Sequence, residues 1–131
     1  SPAAPCPAAL DGRRICPDND GMTQTGPASM LHLTTTCPDL DTARDLADEA
    51  LTKRLAACVN ILPDVISLFH WEGEIDEQPE VQVIFKTTET LREALVALIE
   101  ADHPYDLPVI TWEEVGTTRA AADWLRMELG D

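Results

Sequence analysis

Two strand-like arms flanking Gly73 constrain this chain more than any other feature of its sequence. Ala57-Cys58-Val59-Asn60-Ile61-Leu62 opens a strand that breaks at Pro63-Asp64 and resumes as Val65-Ile66-Ser67-Leu68-Phe69-His70-Trp71. Glu72-Gly73-Glu74 supplies a turn, and Ile75 leads to a returning strand over residues 80–87. There Val81, Val83 and Phe85 alternate with Gln82, Ile84 and Lys86, the period-two pattern of a half-buried strand. Arms of about 13 residues are more than twice as long as the usual strand of a small domain. Part of the hairpin must therefore run past the helices that cover it. Unpaired backbone groups and the side chains of Ile66, Leu68, Phe69 and Trp71 would then face water, which partner chains can relieve through the strand edges. The other solution is a hairpin bent back onto its own sheet at Pro63 and Pro79, positions suited to bulges or edges because proline lacks an N–H.

The flanking sequence places this hairpin in a fold. Met30, Leu31 and Leu33 lead into Thr34-Thr35-Thr36, a β-favouring run closed by Cys37-Pro38-Asp39. Asp39 suits a helix N-cap, since its carboxylate accepts a free amide of the first turn. Leu40, Ala43, Leu46, Ala47, Ala50, Leu51 and Leu55 follow at helical spacing, predicting a first helix that runs to about Leu55. After the hairpin, Thr90-Leu91-Arg92-Glu93 fits a capping box, and Leu91, Ala94, Leu95, Leu98 and Ile99 form the stripe of a second helix ended by His103-Pro104. Residues 108–115 predict a fourth strand. Ala121, Trp124, Leu125 and Glu128 predict one face of a final helix that stops near Gly130. The order β-α-β-β-α-β plus a terminal helix is the split βαβ of a ferredoxin-like α+β domain, expected over residues 29–131.

Composition narrows the function classes. Nine Lys and Arg face 24 Asp and Glu, a formal net charge of −15 spread along the chain. Such a surface repels phosphate backbones and anionic lipid heads and concentrates divalent cations, so neither nucleic acid nor a membrane is an expected partner. Hydrophobic residues make up 44% of the chain, yet no uncharged apolar run approaches a bilayer span. The opening segment lacks a secretory pattern, so the cytoplasm is the expected compartment. Residues 1–28 hold five of the ten prolines without an apolar period, and a mobile tail is expected there. Cys6, Cys16, Cys37 and Cys58 contain no CxxC pair and form no disulfide framework.

Several short motifs are more specific: Thr36-Cys37-Pro38-Asp39, Arg54-Leu55-Ala56-Ala57-Cys58-Val59-Asn60-Ile61, Trp71-Glu72-Gly73, Lys86-Thr87, His103-Pro104-Tyr105 and Asp123-Trp124-Leu125. Their order and spacing resemble the CutA divalent-cation-tolerance family across residues 30–129. The resemblance implies a ferredoxin-like subunit, a homotrimer assembled through long hairpins, cytoplasmic residence, and a link to divalent metal that includes copper binding in some members. It also implies a pocket between subunits lined by Trp71, Lys86, Tyr105 and Trp124, beside Glu72 and Glu80. Metal-binding members carry a cysteine three residues before the strand-ending proline and a His-His pair before Pro-Tyr. Here Thr35, Asp102 and His103 stand at those places. The family often has an acid after the proline of its last strand, where this chain has Val109. A different ligand set of His103, Asp102 and Cys37 suits a borderline cation such as Cu(II) or zinc, bound weakly and not as an obligatory cofactor.

Each candidate also has a plain structural reading. His103 can serve as a helix-end residue, Cys58 as a small core hydrophobe, and Trp71 and Trp124 as packing anchors. Cys37 precedes a helix N-terminus, where the dipole favours a reactive thiolate. Lys86 either holds a carboxylate in a cleft or is paired internally. For function, a metal-linked binding protein competes with a trimeric sensor resembling the PII signalling proteins and with a small hydrolase. The sequence has no GxSxG, no HExxH and no glycine-rich phosphate cradle, so no enzymatic activity is expected.

Overall fold

A computed structural model describes residues 28–130. The chain runs β1 (Ala28–Cys37), α1 (Leu40–Thr52), β2 (Cys58–Trp71), β3 (Glu74–Thr87), a 3-10 turn (Glu89–Leu91), α2 (Arg92–Asp102), β4 (Thr111–Thr117) and α3 (Arg119–Leu129). The strands form one antiparallel sheet in the order β2-β3-β1-β4. Passing through α1 carries the chain from β1 to a strand two places away, and the β2–β3 hairpin returns to fill the gap. This is the expected ferredoxin-like α+β topology. The expected tail and its Cys6 and Cys16 lie outside the described residues, and β1 begins at Ala28, one residue before the expected domain start.

Alternation decides the two faces of the sheet. Leu33 and Cys37 of β1, with Val81, Val83 and Phe85 of β3, point to one side. There they pack with Ala43, Leu46 and Ala50 of α1 and Leu95, Leu98 and Ile99 of α2 as the main core. The residues between them, such as His32 and Lys86, face the opposite side, where α3 packs on β1.

Several boundaries differ from expectation for local reasons. Helix α1 ends at Thr52 rather than Leu55, because Arg54 takes a left-handed backbone (φ 55) and turns the Leu55 amide back to the Ala50 carbonyl at 2.8 Å. The capping box at Thr90 does not form. The chain enters α2 through the 3-10 turn behind Thr88, neither Thr88 nor Leu91 caps with its side chain, and Arg92 Nε donates to Glu89 Oε1 at 2.7 Å. Strand β4 starts at Thr111, three residues later than expected. Asp39 caps α1 as predicted, accepting the Thr42 amide at 2.8 Å.

The hairpin is long and does not fold back. β2 and β3 pair continuously from Cys58↔Lys86 to Trp71↔Glu74, with one register shift between Leu62 and Val65, where Asp64 has φ 63. Pro63 thus marks a bulge. Pro79 pairs with Ile66 without a shift, beyond the last β1 partner of β3 at Val81, so its missing N–H faces an unpaired edge.

Candidate functional site

One cluster forms where the end of β1 meets the end of α2. His103 caps α2, its amide bonded to the Ile99 carbonyl at 2.8 Å, and its ring turns inward. Nε2 lies 2.7 Å from the Thr36 carbonyl oxygen, which only accepts, so Nε2 carries the proton and donates it. Nδ1 in turn accepts the Tyr105 amide at 3.1 Å. Both ring nitrogens are therefore committed. Cys37 Sγ sits 4.0 Å from Nε2 in full burial. Burial, with smaller contributions from the Asp39 and Glu80 carboxylates, pushes this thiol up to about 11. The expected helix-dipole activation of Cys37 is outweighed by desolvation. Tyr105 leans on the His103 ring at 4.7 Å between centroids, and its hydroxyl donates to Glu80 Oε2 at 2.8 Å. Burial, followed by that hydrogen bond, raises the phenol well above its ordinary range.

This arrangement does not suit the expected metal set of His103, Asp102 and Cys37. Among the described residues, no three His, Cys, Asp or Glu side chains are grouped to hold an ion. Asp102 is exposed at the end of α2, while its neighbour His103 is buried. To ligate through Nε2, the ring would have to move its proton to Nδ1, where it would meet the Tyr105 N–H donor. The thiol, moreover, resists the deprotonation that a metal requires. Thr35, at the place of the family cysteine, is engaged in holding the chain together, since its hydroxyl donates to the Val109 carbonyl at 2.9 Å.

The expected pocket residues separate into three places within one chain. Tyr105 and Glu80 belong to the cluster above. Trp71 and Glu72 occupy the hairpin tip, both exposed. Lys86 and Trp124 line an open cleft of about 550 Å³ between the sheet and α3. Lys86 pairs with Cys58 at the hairpin base, 13 residues of β2 from Trp71, a separation of about 40 Å at 3.3 Å per residue. A pocket holding both Trp71 and Lys86 needs more than one chain.

The cleft also contains His32, which was not singled out from the sequence. His32, Lys86 and Cys58 stand directly opposite one another on β1, β3 and β2 and form a row across its floor. Cys58 is thus half-buried in a cleft wall rather than in the core. Two strand spacings separate it from His32 by about 10 Å, too far for thiol–imidazole proton transfer. His32 is shifted toward the uncharged ring by burial and then by Lys86, with Glu113 opposing. Only the alternation of His32 with Leu31 and Leu33 signalled its face. The strand register that brings it to Lys86 was not visible in the sequence.

The profile described as CutA1 divalent ion tolerance protein matches residues 31–128, most of the chain. The chain belongs to this family. A curated relative from Salmonella newport, named divalent-cation tolerance protein CutA, is 45% identical over 73 residues, 56% of this chain. The match spans 64% of that relative's length, less than two thirds. CutA from Xylella fastidiosa superposes with a TM-score of 0.74 at 32% identity, covering 76% of this chain and 97% of that one. CutA from Synechococcus elongatus gives 0.74 at 37% identity over 78% and 91%. The periplasmic divalent cation tolerance protein CutA from Archaeoglobus fulgidus gives 0.73 at 31% over 77% and 98%.

Proposed function

We propose that this CutA-family chain serves divalent-cation tolerance as a binding protein, without enzymatic activity, that acts as a homotrimer assembled through its hairpins. The observation that carries this reading is the unpartnered far half of the hairpin. Ile66 (69%), Leu68 (63%), Trp71 (60%) and Ile75 (72%) are exposed on a two-stranded ribbon that none of the described helices covers. Such a ribbon is marginal in water without further strands. Metal contact is read as weak and salt-sensitive, set by the acidic surface rather than by a closed ligand shell. Copper or zinc is therefore not needed for folding. The described cysteines Cys37 and Cys58 are unpaired thiols, which supports the cytoplasm as the compartment. No described helix is long and apolar enough to cross a membrane.

The test is growth under copper or zinc stress of a host lacking its own family member. Expression of the wild-type chain should restore growth. A variant with aspartate at Phe69 and Trp71 should not. Equal rescue by both would separate tolerance from assembly and overturn the reading. One observation favours a second reading, the ligand-sensing trimer: the cleft beside Lys86 is within the 300–1,000 Å³ typical of small-molecule sites.

A further inference from the structure

Within one chain, Lys86 carries a charge that its surroundings leave unanswered. It is half-buried on the floor of the cleft, and among the described residues its side chain makes no hydrogen bond or ion pair. In a chain with 24 acidic residues against nine basic ones, shortage of carboxylates cannot be the cause. The acid nearest in the strand register is Glu113, paired with His32 on the far side from Lys86. It is exposed and does not line the cleft. Glu114 faces elsewhere and accepts the Ser29 hydroxyl at 2.7 Å.

A second feature points the same way. The first turn of the 11-residue helix α3 opens into the cleft, with Thr118, Ala120 and Ala121 in its wall. Thr118 Oγ1 accepts the Ala121 amide at 3.2 Å. The positive end of the helix therefore adds to the Lys86 ammonium. The remaining wall is apolar, with Met30 and Val115 paired across β1 and β4 and the Trp124 ring on the helix side.

We propose that this cleft binds a small monocarboxylate with an apolar or aromatic body. Lys86 and the first turn of α3 receive the carboxylate, while Met30, Val115 and Trp124 enclose the body. One ammonium balances one negative charge. His32, kept toward its uncharged form, adds a hydrogen bond rather than a second charge, so a dianionic phosphate is matched less well. The proposal rests on the ligand-sensing reading and gives it a ligand class.

Calorimetric titration of the full chain in its assembled state tests this with phenylacetate, the uncharged phenylacetamide and inorganic phosphate as probes. Phenylacetate should bind about tenfold or more tightly than the amide and than phosphate, as expected for one charge-assisted hydrogen bond. Lys86→Met should remove that preference, and Lys86→Arg should retain it, with circular dichroism showing all three proteins folded. Equal binding of acid and amide, or undiminished acid binding by Lys86→Met, overturns the carboxylate assignment while leaving a ligand pocket. Absence of binding by all three probes overturns the proposal together with the ligand-sensing reading.

Discussion

At the residue scale, Cys37 and His103 illustrate how burial converts apparent metal ligands into structural groups. The Cys37 thiol in the fold is pushed up from 9.0 to about 11. Its contribution to stability is therefore fully present below pH 9 and is lost as pH rises toward 11, because only the unfolded chain ionises in that window. The stability advantage of wild type over Cys37→Ala should shrink by about 3 kcal/mol between pH 8.5 and 11.5 in denaturant titrations. A constant difference would show that the thiol is less buried than the structure places it. His103→Ala strands the Thr36 carbonyl and the Tyr105 amide. Unfolding free energy should drop by about 3 kcal/mol, since each unsatisfied buried group costs about 1–3 kcal/mol. Copper affinity measured on the same variant should stay within about twofold of wild type, because no ligand is lost when both nitrogens already serve the backbone. A tenfold fall would return His103 to the metal site.

At the element scale, the tip of the hairpin is a two-residue turn in which Glu72 (φ 51) and Gly73 (φ 81) both take left-handed backbone. That is the turn best matched to strand twist, and it favours Asn-Gly over Glu-Gly. Glu72→Asn should therefore raise stability by roughly 0.5–1 kcal/mol, and Gly73→Ala should lower it by about 1 kcal/mol. Both are read from the thermal midpoint. An added Cβ at Gly73 meets nothing within 4 Å, so any loss there is conformational and not steric. The elements themselves were legible in the sequence wherever period and punctuation agreed. Alternation located Val81, Val83 and Phe85, and Asp39 marked the start of α1. The sequence misled where a pattern competed with tertiary packing. Helix α3 buries Ala122, Leu125 and Leu129 and turns Ala121 and Trp124 toward the cleft, so of the expected face of Ala121, Trp124, Leu125 and Glu128 only Leu125 is buried. The His32–Lys86–Cys58 row was illegible for another reason. It depends on the register between strands distant in sequence, which no local period encodes.

At the scale of the whole molecule, the described chain accounts for its core but not for its hairpin. α1 and α2 seal one face of the sheet near the hairpin base, and β1 pairs with β3 only from Val81 onward. Beyond that point two strands stand alone, with Ile66, Leu68 and Ile75 on one face and Phe69 and Trp71 on the other. Both faces carry exposed apolar side chains, so docking against a single flat partner would leave one face wet. Three hairpins wrapping one another cover both and also supply partners for the unpaired edges. In such a trimer the Trp71 and Glu72 tip, about 40 Å along the strand from its own Lys86, would be far enough out to reach a neighbour. Light scattering of the wild-type chain at micromolar concentration should therefore give three times the chain mass of 14.3 kDa. Aspartates at both Phe69 and Trp71 place charges on one face of the ribbon, where burial between chains would leave them unpaired at a cost of several kcal/mol each. That variant should scatter as a monomer while keeping the circular dichroism of a folded α+β domain, because the main core contains neither residue. A trimer that survives both substitutions would mean that assembly uses another surface, and a wild-type monomer would mean that the ribbon stands in water uncovered.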